Sequence, residues 1–141
     1  MSTIDALHRS EVRSSVLVVR TGIVGLALAT AAIHASLGGM IFTLNAIGYT
    51  TLAMAMVLPG PFGRYRWLIR LALAGFTAAT IGGWVLFGAR FPLAYLDKAL
   101  EIGLLVLVTF ELFHLDGGPI EIGRRARRLA TSLVGARGVR G

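Results

Sequence analysis

At 141 residues the chain is sized for one domain. Hydrophobic residues make up 55% and charged residues 15%, a balance too apolar for a soluble domain of this length, whose surface needs charge. Cysteine is absent, which excludes disulfides, thiolate catalysis, iron–sulfur clusters and cysteine-bound zinc, and the formal net charge of +7 comes mostly from arginines beside apolar runs. No zinc finger, helix-turn-helix or RNA-binding aromatic signature is present, so a nucleic-acid partner is not expected.

Residues 1–15 are polar, with Ile4, Leu7 and Val12 set among Asp5, Arg9, Glu11 and Arg13. They read as a cytoplasmic lead-in, with a short surface helix or a docking arm as alternatives. Residues 21–63 then contain no Asp, Glu, Lys or Arg. A bilayer crossing needs about 20 apolar residues, so this run holds two crossings. The expected spans are 16–35 and 39–58, folded back at Ser36-Leu37-Gly38-Gly39, where glycine permits a tight turn. A competing reading makes the first run a signal peptide, with Ile33-His34-Ala35 as a poor cleavage site.

Pro59-Gly60-Pro61 ends the second run, since proline lacks the N–H a helix needs and restricts the residue before it. Gly63-Arg64-Tyr65-Arg66-Trp67 is a basic, aromatic loop suited to a membrane interface. A third span is expected at 68–87 and a fourth at 93–113, separated by Arg90-Phe91-Pro92. The fourth carries Asp97, Lys98, Glu101 and Glu111. Gly117-Gly118-Pro119 then breaks the chain. All four prolines fall between or after the expected spans. In the tail, residues 117–141, Ile122, Ala126, Leu129, Ala130 and Leu133 recur at helical intervals among arginines. The tail reads as an amphipathic helix on anionic lipid, with Arg124, Arg125, Arg127 and Arg128 as candidate headgroup contacts, or as a disordered basic tail.

The expected fold is therefore all-α: a polytopic four-helix transmembrane bundle with a basic C-terminal tail. Arginines before span one, between spans two and three, and in the tail all fall on one side. The positive-inside rule then puts both termini in the cytoplasm of a multi-pass inner-membrane protein.

On span four, Asp97, Glu101, Leu104, Val108 and Glu111 recur at intervals of four and three, one stripe of a helix. Intramembrane charge is costly and usually faces a bundle interior or a wet cavity, so the stripe is expected to turn inward. Matching depths brings His34, Asn45, Tyr49, Thr80, Trp84, Asp97 and Glu101 into the outer half. If their faces converge they form a ligand- or ion-binding site, with His34, Asn45, Tyr49, Asp97 and Glu101 as the candidate residues. The alternative is local satisfaction, with His34 among headgroups, Asp97 and Lys98 at interfacial water, and Asn45 bonding across helices. His34 and His114 fall at opposite ends, so one chain does not supply both axial ligands of a haem. No phosphate loop or nucleophile elbow appears, and no catalytic residue or metal set is assigned.

The small-residue series Ala27, Ala31, Ala35 and Gly75, Ala79, Gly83 suit close helix packing, either within the chain or against other membrane subunits. The stretches Ile33-His34-Ala35-Ser36-Leu37-Gly38-Gly39, Leu44-Asn45-Ala46-Ile47-Gly48-Tyr49 and Tyr95-Leu96-Asp97-Lys98-Ala99-Leu100-Glu101 resemble small prokaryotic four-helix membrane families of unassigned function. That resemblance implies topology only, and favours His34, Asp97 and Lys98 as linked positions. Three functions are expected in turn: a non-catalytic accessory or assembly subunit with membrane partners or self-association; a small transporter or ion- or proton-binding protein with an outer polar site; and a quinone-, lipid- or haem-binding protein. No particular cofactor is implied.

Overall fold

The computed structural model describes residues 3–59, 65–115 and 117–138, with side chains at 14–59, 65–115, 117–118 and 120–132. Expectations for Gly60, Pro61, Gly63, Arg64 and Asp116, for the side chain of Leu133, and for Met1 and Gly141 at the chain ends lie outside the described residues. The described chain holds five helices: α1 (Thr3–Leu37), α2 (Met40–Val57), α3 (Arg66–Phe87), α4 (Pro92–Leu115) and α5 (Gly118–Gly138). α1 packs against α2 and α4, α3 packs against the same two helices, and α5 meets α4.

Each helix stops for a local reason. The α1–α2 turn passes through Gly38 and Gly39 at φ of 68° and 85°, a backbone region that costs a residue with a Cβ. Thr43 closes the new helix by donating its amide and its hydroxyl to the Gly39 carbonyl, both at 3.0 Å. Leu58 leaves α2 in an extended conformation, as the residue before Pro59 must. Pro92 opens α4, where its missing N–H leaves no helical bond unmade. Gly117 and Gly118, again at positive φ, end α4 and admit α5.

Two boundaries differ from expectation. The polar residues from Thr3 onward do not form a separate lead-in; they are the first half of α1, continuous with its apolar half. Among the described residues three stretches, not four, are long, apolar and sparsely charged enough to cross a membrane: Ser14–Leu37, Met40–Val57 and Arg66–Phe87. α4 has the length, at 24 residues, and is as apolar as α3, but any 18 consecutive residues of it include at least three of Asp97, Lys98, Glu101 and Glu111.

Those four charged side chains are all buried, whereas large apolar side chains on every one of α1 to α4 are exposed, Val18, Ile41, Leu86 and Ile102 among them. The apolar core between the helices comprises Ile23, Ala27 and Ala31 of α1, Tyr49, Ala53 and Met56 of α2, Leu73 of α3, and Leu104 and Val108 of α4. Ala27 and Ala31 thus serve internal packing. Gly75 on α3 is exposed, whereas Ala79 and Gly83 line a cavity together with residues of α1, α2 and α4. α2 approaches α3 at Gly48, where a Cβ would lie 2.5 Å from the Phe76 ring. Only glycine admits that ring, which in turn packs edge-on against Tyr49 with centroids 4.9 Å apart.

Candidate functional site

The inward stripe of α4 delivers two ionic clusters, one near each end. The end closer to the α3–α4 turn holds Asp97, Lys98 and Glu101, exposed by 3%, 7% and 0%. Lys98 Nζ donates to Asp97 Oδ2 at 2.9 Å and to Glu101 Oε2 one helical turn away. The ammonium therefore clamps one oxygen of each carboxylate. Their other oxygens face the neighbouring helices.

α2 contributes Tyr49, whose hydroxyl donates to Glu101 Oε1 at 2.9 Å and lies 2.8 Å from Thr80 Oγ1 of α3. α1 contributes His34, buried, with Nδ1 3.0 Å from the Thr30 carbonyl oxygen. A carbonyl only accepts, so Nδ1 carries hydrogen and the neutral ring keeps its lone pair on Nε2. Nε2 sits 3.9 Å from Glu101 Oε1, and Nδ1 is 3.5 Å from Asp97 Oδ1. Phe42 and Tyr49 flank the imidazole at centroid distances of 5.9 and 5.8 Å.

Two carboxylates, one ammonium and one imidazole therefore share the buried cluster. Buried uncompensated charge is costly in a low dielectric. Asp97 Oδ1 is buried and has no hydrogen-bond partner among the described residues. With both carboxylates ionised, one more positive charge balances the cluster, on His34 or on a guest. His34, Asp97 and Glu101 each offer a ligand atom, all within 4.8 Å of one another, a spacing that suits a metal ion. A divalent ion there would overshoot neutrality and sit beside the Lys98 ammonium, so the charge balance favours a monovalent guest.

A cavity of about 470 Å³ opens beside the cluster. Its floor includes His34, Asn45, Thr80, Asp97 and Lys98, and its walls include Phe42, Phe76, Trp84, Phe87 and Phe91. Trp84 is fastened at the rim. Its Nε1 donates to the Ala89 carbonyl at 3.0 Å, the Arg90 guanidinium lies 4.1 Å from its ring centroid, and Tyr95 meets it edge-on at 5.3 Å.

The structure thus brings His34, Tyr49, Asp97 and Glu101 into direct contact. Asn45 lines the cavity. His34, Asp97 and Lys98 are all buried and line the cavity. Sequence reasoning left Lys98 out of the site, although it is the chain's only lysine and stands three residues before Glu101. It also missed the second cluster. There Glu111 Oε1 accepts from Arg70 Nη2 at 3.0 Å and Arg20 Nη2 at 3.3 Å. Arg20 and Arg70 lie just inside their expected spans, a placement that called for a buried acid at matching depth. His114 is exposed and stacks on Phe110. In α5, Arg124 and Arg125 pair with Glu121 at 3.0 and 3.7 Å, and Arg127 and Arg128 are exposed.

The chain matches no protein-family model, no curated protein and no solved structure.

Proposed function

We propose that the protein is a multi-pass membrane protein, a four-helix transmembrane bundle that binds a small, mostly apolar ligand carrying one positive charge. The inverted distribution of polarity supports the membrane location: ions lie inside α1 to α4, and apolar side chains lie outside. A charged α4 is compatible with lipid when its charges are enclosed by three apolar partners. By arginine placement, both termini lie in the cytoplasm and the cavity lies in the outer half.

The observation that carries the ligand assignment is Asp97 Oδ1, a buried acceptor with no donor among the described residues, on a residue that lines an aromatic cavity. A protonated amine suits both features. It donates to Oδ1 and lays its apolar body against Phe42, Phe76 and Trp84. Between Glu101 and Glu111, about 15 Å along α4, the interior is filled by Leu104 and Val108 with Ile23, Ala53 and Leu73. That dry layer favours binding from one side over conduction.

Phenethylamine and phenethyl alcohol have the same apolar body and differ in charge. Titrated against the purified protein with Trp84 fluorescence as the readout, the amine is expected to bind at least about tenfold more tightly, the scale of a charge-assisted hydrogen bond. Equal affinity would refute the assignment.

A further inference from the structure

Among the described residues at the other end of the helices, arginine outweighs acid. Arg20 and Arg70 share the single carboxylate Glu111, and Arg66 adds a third guanidinium nearby. A groove of about 390 Å³ lies between α1, the end of α2 and the start of α3, with Arg20 and Arg66 as its cations and Leu17, Val24, Met56 and Val57 among its apolar walls. The Nε atoms of Arg20 and Arg66 are buried there and have no hydrogen-bond partner among the described residues. α3 begins at Arg66 with no acidic residue in its first turn and no side-chain cap, so the positive end of its dipole adds to the same field. Leu17 and Val57 are about half exposed, so the groove opens sideways onto the apolar exterior.

We infer that this groove holds the phosphate of an anionic phospholipid, with an acyl chain along Leu17, Val24 and Val57. Free phosphate shares the headgroup chemistry, but it has no use for the apolar walls. Arg20 and Arg66 donate to the phosphodiester, and Glu111 keeps Arg20 and Arg70 from repelling each other when the groove is empty. The site rests on the membrane location proposed above and is independent of the amine site, which lies at the opposite end of α4.

Native mass spectrometry of the full chain, released from detergent containing equal phosphatidylglycerol and phosphatidylcholine, tests the inference. Phosphatidylglycerol is expected to be retained about fivefold over phosphatidylcholine, the effect of one basic contact with an anionic lipid. Arg66→Gln makes no change to the Glu111 pairs and is expected to bring the two lipids to parity, whereas Ser36→Ala in the α1–α2 turn, an exposed side chain bonded only to the Ile33 carbonyl, keeps the preference. Parity in the unaltered protein, an intact preference in Arg66→Gln, or displacement of phosphatidylglycerol by equimolar inorganic phosphate would each overturn it. Loss of amine binding with the lipid preference intact would count against the outer site alone.

Discussion

Lys98 is the chain's only lysine among thirteen arginines, and it occupies the one place where a compact cation must reach two carboxylates at once. An ammonium directs its donors freely, while a guanidinium presents a planar fork and needs more room. Lys98→Met would leave Asp97 and Glu101 buried without their shared cation. It is expected to lower stability in detergent by about 3 kcal/mol, the cost of breaking a buried ion pair, and Lys98→Arg is expected not to restore it. Thermal unfolding followed by circular dichroism measures both, and an unchanged midpoint for Lys98→Met would contradict the clamp. At this scale the acids were legible, because charge inside an apolar helix demands enclosure. The partner of Glu101 was not: nothing in the spacing of α2 says whether Tyr49 turns its hydroxyl toward α3, toward α4, or, as observed, toward both.

α2 and α4 show what an element's pattern reveals and what it hides. The stripe from Asp97 to Glu111 was readable because intervals of four and three return to one helix face, and all five of its positions are buried. α2 has no such sidedness, since apolar residues surround it, and its contact face is chosen by Gly48 and Tyr49. Gly48→Ala would drive a Cβ into Phe76 and push that ring toward Tyr49. The expected cost is about 1–3 kcal/mol, as for other overpacked interiors, with weaker amine binding as Tyr49 and Thr80 part. An Ala variant as stable as the parent, with equal ligand affinity, would show that α2 and α3 are not held this closely. The extent of α1 was hidden for a related reason: a helix continues through polar residues whenever nothing stops it, and no proline or glycine stands between Thr3 and Arg20.

For the whole molecule, the distribution of polarity is the reverse of a soluble protein's, and the prolines and paired glycines that set the helix ends made the number of helices legible. The proposed orientation in a bilayer follows from arginine placement. The absence of cysteine makes it directly testable. In whole cells, Ser36→Cys in the α1–α2 turn is expected to react with an impermeant maleimide, and Ser132→Cys in α5 only after permeabilisation. The opposite pattern would invert the topology. The proposed amine binding depends on the unpartnered acceptor Asp97 Oδ1 in the outer cluster. Calorimetric titration of Asp97→Asn with phenethylamine and phenethyl alcohol tests that most directly. Asparagine removes the carboxylate charge and leaves the cavity walls as they are, so the amine should lose its preference, about tenfold, while the alcohol binds as before. An amine preference that survives in Asp97→Asn would contradict the account.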